Sequence, residues 1–176
     1  MTQELTDIRT CILSGRYDDA LMLVDELEGM SKKAILQNIE SFLVRMLVHL
    51  IKNVVEEKMN NSWYASIRDS SLKIQGLNLQ ENKTSYYIKQ DEWGDYLEMA
   101  FADAIAIGSG EVLDGQLTPF QLEYMVDKTA VFRGATQLLN LTYEHSAKTI
   151  RSVIMEEVSK LPGGEDWKGA SQFGNE

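Results

Sequence analysis

The chain has 176 residues, 44% of them hydrophobic and 25% charged, with two prolines and a formal net charge of -10. That length accommodates one domain with a real core, and the composition excludes fibrous and disordered classes. The acidic balance excludes nucleic-acid binding through phosphate neutralisation, and the single Cys11 excludes an internal disulfide or a thiolate metal site.

Met1 is followed by Thr2, Gln3 and Glu4, with no basic n-region and no apolar h-region, so no signal peptide is predicted and a cytoplasmic location is expected. The first helix is predicted to end at Gly15. Tyr17, Ala20, Leu21, Leu23, Val24 and Leu27 continue at helical spacing behind Asp18 and Asp19, which suit a helix N-terminus, and Gly29 reads as a C-cap. A plain helical hairpin is therefore expected before residue 31. The stretch Gly15 to Leu27 is similar to the first helix of a tetratricopeptide unit, but no second copy follows, and one unit cannot build a solenoid.

Ser31 then caps the dominant element of the chain, a helix running to about Val55. At about 100° per residue its apolar side chains sweep roughly two thirds of the circumference, and such a helix must lie inside a bundle. The remaining strip carries Asn38, Ser41, Arg45, His49, Lys52 and Glu56. A membrane span is not expected, because Glu40, Arg45, His49 and Lys52 fall at mid-depth. Asn60, Asn61 and Ser62 break the helix, and Trp63, Ile67, Ile74 and Leu77 mark another that closes near Gly76.

After a polar link at Glu81 to Thr84, a fifth helix carries Leu97, Ala100, Phe101, Ala104 and Ile105 on one face as far as Gly108. Gly108, Gly110, Asp114 and Gly115 form a turn, and Thr118 followed by Pro119 is an N-cap with proline at the first helical position. Val131 to Val158 reads as one long or one broken final helix, stopped by Pro162, Gly163 and Gly164. No useful strand alternation occurs. The predicted fold is all-α, a single-domain bundle of six to seven helices around the long one. Residues 1–160 form the bundle and 161–176 a Gly-rich tail that keeps Trp167 and Phe173.

Three pieces of this sequence resemble the domain of unknown function 29 family, bacterial proteins common in cyanobacteria. One is Arg45-x-Leu47-x-His49-Leu50-x-Lys52, and another is Ser62-Trp63-x-x-Ser66-Ile67. The third is Tyr96-Leu97-x-x-Ala100-Phe101-x-Asp103-Ala104, followed by Thr118-Pro119-Phe120-Gln121-Leu122-Glu123. The resemblance covers residues 31 to about 127 and implies a helical bundle without an assigned activity, so it carries over no catalytic residue. Members usually have a longer acidic, Cys-Pro-containing loop before the sixth helix, which Leu117-Thr118-Pro119 replaces here.

Direct tests for chemistry are mostly negative. Met46 and Thr142 stand three residues before His49 and His145, so Glu-x-x-His di-iron sites are excluded, as are His-Glu-x-x-His zinc sites. Gly108-Ser109-Gly110 is followed by Glu111, Val112 and Leu113, which fits neither a dinucleotide fingerprint nor a phosphate loop. Asp91, Asp95 and Glu98 share a helical face, and a solvated acidic face is the expectation over a hard-cation site. No cofactor or metal is expected, and Cys11 reads as a small core residue.

Charge layout singles out one strip. Residues 31 to 90 hold nine Lys or Arg against five Asp or Glu, while residues 91 to 127 hold nine carboxylates and no Lys or Arg. Arg45, His49 and Lys52, with Trp63 and Arg68 near, form the candidate ligand- or partner-binding site, since a planar fork, a titratable ring and a point charge suit an anion. The preferred expectation is internal pairing, with His49 hydrogen-bonded within the bundle, Arg45 and Lys52 against Glu56 or the Asp95 to Asp103 region, and Trp63 as a core plug. Trp167 and Phe173 are expected to dock, on their own bundle or on a partner. The functional expectation is a non-catalytic protein-interaction module, self-associating or binding one protein; the alternative is a small-molecule or anion-binding protein, or an enzyme, centred on Arg45, His49 and Lys52.

Overall fold

Scarce proline and apolar residues at three- and four-residue spacing leave helix as the favoured state along almost the whole chain. The computed structural model describes residues 3–169. Among them are eight helices: α1 (Gln3–Leu13), α2 (Tyr17–Glu56), α3 (Asn61–Asn78), α4 (Trp93–Gly108), α5 (Pro119–Met125), α6 (Lys128–Glu144), α7 (Ile150–Ser159) and α8 (Gly164–Gly169). A 3-10 turn spans Val112–Gly115, and the extended pairing among the described residues is one isolated bridge between Leu79 and Tyr86. The protein is all-α, with α2 as its long helix.

The break expected at Gly29 does not occur, because Tyr17 to Glu56 is one helix of 40 residues. Glycine inside a helix costs roughly 1 kcal/mol relative to alanine, and no proline removes a backbone donor nearby. Once nucleated, propagation carries the helix through Gly29-Met30-Ser31. Ser31 is thus an interior residue and not a cap.

Two compact units divide the chain, one up to Asn38 and one from Ile39 onward, and α2 contributes to both. In the first, the turn Ser14 to Arg16, with Gly15 at φ 73°, reverses the chain between α1 and α2. Cys11 and Ala20 are buried across that turn, and Ile8 and Leu23 are half-buried one turn further out. Cys11 is a free thiol.

In the second unit, Ile39, Leu43, Met46, Leu47, Leu50 and Ile51 of α2 are sealed from water. Each such side chain stabilises the fold by about 1.5–3 kcal/mol. Among the described residues α2 is the one helix long and apolar enough to cross a membrane, and 39% of its apolar window is buried inside the fold. Helix α3 packs against α6 and α7, α6 against α7, and α4 against α5. Close approach is helped by Gly134 of α6, where an added Cβ would lie 3.7 Å from Leu50 and 3.3 Å from Leu161.

Caps stop the helices where the sequence placed turns. The Asn60 side chain accepts the Trp63 backbone N–H at 2.9 Å and opens α3. Thr118 and Gln121 form a capping box ahead of Pro119 and start α5. The final helical pattern is broken, with α6 ending at Glu144 and α7 starting at Ile150. A buried polar knot holds the segment before α4. Asn78 exchanges two hydrogen bonds with the Ile88 backbone, at 2.8 and 2.7 Å, and the Tyr143 hydroxyl donates to the Ile88 carbonyl and accepts from Trp93 Nε1.

An added Cβ at Gly29 meets nothing within 4 Å. Gly29→Ala should therefore stabilise the chain by about 0.5–1 kcal/mol, measured by urea denaturation followed by circular dichroism. A loss of stability would show that the uninterrupted helix is wrong at that position.

Candidate functional site

Positions 45, 49 and 52 follow one another at four and three residues, so the α2 backbone sets Arg45, His49 and Lys52 on one line. Helix α3 returns alongside, because the Asn60 cap re-aims the chain after α2 ends. Arg45 donates to Asp69 Oδ2 at 2.7 Å and to Ser66 Oγ at 3.4 Å, both on α3. Lys52 Nζ lies 2.9 Å from Glu111 Oε2 and 5.1 Å from the centre of the Trp63 ring. The Lys52 side chain is only 13% exposed, so its ion pair and cation–π contact act in a partly desolvated setting where they count for more than on an open surface. Trp63 is buried beneath it and also carries Lys58 Nζ at 5.3 Å.

His49 sits between the two cations. Burial, reinforced by Lys52 and only partly opposed by Glu111, lowers its pKa from 6.5 to about 4. The ring is neutral at neutral pH, and its buried Nδ1 has no hydrogen-bond partner. At neutral pH it adds no positive charge to the strip. Arg68 is half-buried and takes part in none of these pairs.

The expected internal pairing of Arg45 and Lys52 is present, but with different partners. Glu56 pairs with Lys58 at 3.2 Å, just past the left-handed Glu57. Asp95 and Asp103 are exposed on α4, and it is Glu111, placed by the turn after that helix, that reaches Lys52. The acidic and basic segments thus meet at a single ion pair there. Among the described residues no three His, Cys, Asp or Glu side chains gather round a possible cation position, and Glu98 of the acidic face pairs with Lys128.

Trp167 is half-buried on α8. Its Nε1 donates to Asn61 Oδ1 at 2.9 Å and its ring lies 4.9 Å from that of Tyr64, so it docks on α3 of its own chain. Phe173 lies outside the described residues.

Sequence reasoning missed Asn53. Its fully buried side chain donates through Nδ2 to the carbonyls of Lys58, at 2.9 Å, and Pro162, at 2.6 Å. Gly163 packs so tightly there, at φ 69°, that a Cβ would come within 2.5 Å of the Lys58 backbone. The one available signal was an amide standing in the apolar run from Leu50 to Val55.

Fold and site together define an all-helical protein whose cationic strip is neutralised from within. Residues 17–130 match the family model described as domain of unknown function DUF29, and the chain belongs to that family. The match opens at the first residue of α2. No curated protein and no solved structure matches the chain.

Because the folded chain resists protonation at His49 down to about pH 4 while an unfolded histidine accepts a proton near 6.5, stability attached to this group is full above 6.5 and falls as pH drops towards 4. His49→Gln should flatten that part of the pH dependence in urea denaturation between pH 7.5 and 3.5 (roughly the window bracketing both values). Equal slopes for variant and wild type would contradict it.

Proposed function

We propose that this is a cytoplasmic, non-catalytic helical interaction module that binds protein surfaces. The observation that carries the reading is the contrast between its polar and apolar side chains. Arg45 and Lys52, the charges best placed to hold a ligand, are engaged with Asp69 and Glu111, while large apolar groups face water. On α5, Leu122 is the buried anchor, and Phe120 and Tyr124, four residues apart, are 85% and 94% exposed. Met125 on α5 and Ile107 on α4, which packs against it, are exposed as well. Single exposed apolar residues are ordinary, but two aromatic rings on one short helical face are the usual anchors of a protein interface.

The competing reading, an anion or small-molecule site at Arg45, His49 and Lys52, has less support. A ligand there would have to displace two formed ion pairs and meet a neutral imidazole. Aromatic anchors at interfaces are worth about 1 kcal/mol or more each, so Phe120→Ser with Tyr124→Ser should weaken partner capture by about tenfold or more. Chemical cross-linking in native lysate, read by mass spectrometry, is the measurement. Identical capture by wild type and the double variant would overturn the role of this face.

A further inference from the structure

Among the described residues, eight of the fourteen exposed large apolar ones lie in the first 38 positions: Leu5, Ile12, Leu13, Tyr17, Leu21, Met22, Val24 and Met30. That density in one two-helix unit is well beyond the scatter of single apolar residues on ordinary surfaces. Position on the helices organises them. At about 100° per residue, Leu5 and Ile12 of α1 stand to one side of Cys11, which faces α2. Tyr17, Leu21 and Val24 stand to one side of Ala20, which faces α1. The chain reverses between the two helices, so the sense of rotation also reverses, and both displacements fall on the same side of the hairpin. Half-burial of Glu4, Ile8, Leu23 and Leu27 marks the seam between the helices and confirms the antiparallel alignment. The result is a two-helix layer of apolar side chains that no third element among the described residues of this unit covers, and such a layer buries its face against another helical layer.

The charges bordering this face identify what covers it. Arg9 lies along the outer edge of α1, while Asp18 and Asp25, seven residues apart, lie along the outer edge of α2. All three are exposed. A second hairpin related by a two-fold axis parallel to the helices sets α1 of each copy against α2 of the other. Each Arg9 then falls between Asp18 and Asp25 of the second copy, within about one helical turn of both. Near the turn the face is self-complementary in hydrophobicity and in charge, the property an isologous interface requires, and exposed Glu28, about 80° round from Ala20, marks where its apolar stretch on α2 ends.

We propose that this hairpin is a self-association surface, in which two copies of the chain pack face to face as an antiparallel four-helix bundle. The proposal rests on the interaction-module reading and names the partner for one of its surfaces. Buried area from two short helices is modest, so the dimer is a reversible one of the small-interface kind.

The test is light scattering of the full chain across the micromolar range, with variants placed on and off the face. Wild type should move from 19.9 kDa towards twice that mass as concentration rises. Leu21→Glu with Val24→Glu should hold it monomeric, whereas Met22→Glu, on the far side of α2, should leave the dimer intact. Arg9→Glu should weaken association about tenfold, and combining it with Asp18→Lys and Asp25→Lys should restore most of that loss, which general destabilisation would not do. A wild type that stays monomeric, or a dimer indifferent to Leu21→Glu with Val24→Glu, overturns the proposal. Loss of this dimer with Phe120-dependent capture intact would leave the interaction-module reading standing; loss of both would remove it.

Discussion

Sealing the second half of α2 from water is the constraint around which the larger unit is organised. Ile39, Leu43, Met46, Leu47, Leu50 and Ile51 together present apolar surface on several sides of one cylinder. A surface that wide calls for more than one neighbour, and α3 meets it at Ser66 and Asp69 while α6 approaches Leu50 at Gly134. Polar groups that share this cylinder call for hydrogen bonds or ion pairs, since stranding one beside such a core costs about 1–3 kcal/mol, a cost borne at His49 Nδ1 and Asn53 Oδ1. Arg45 meets this requirement through α3, Lys52 through the turn after α4, and Asn53 through two loops.

Much of that architecture is legible in the residues. The width of the apolar sector around Leu47 requires burial, Thr118-Pro119 requires a helix start, and Leu97, Ala100, Phe101 and Ala104 mark the inner face of α4; each lies where its chemistry demands. Gly29 misleads for a physical reason. A glycine permits termination without enforcing it, and the cost of leaving it inside a helix is small beside the cost of opening two new ends. Pairing partners are less legible still. Asp69 and Glu111 are chosen by how α3 and the 3-10 turn approach α2, a three-dimensional fact that local spacing does not encode.

The candidate site illustrates how a pattern of residue types and its setting diverge. Arg, His and Lys on one line read as an anion cradle, but burial holds the His49 pKa low and both flanking cations are paired with carboxylates, Arg45 near the surface and Lys52 in a partly desolvated setting. In this fold the two cations tie α2 to α3 and to the turn after α4. The surfaces left with uncommitted character are apolar ones, on α5 and on the α1–α2 hairpin.

The hydrogen bond from Asn53 to the Pro162 carbonyl joins residues more than a hundred positions apart, and Pro162 lies well past residue 130, where the family match stops. Leu138 and Leu139 of α6 and Ile154 and Val158 of α7, equally far along, are fully buried core. The family boundary is therefore not a folding boundary. A fragment trimmed to the shared segment would expose one flank of its central rod and orphan an amide in its interior, so in this chain the helices past residue 130 are part of the foundation, and not an appendage added to a finished domain.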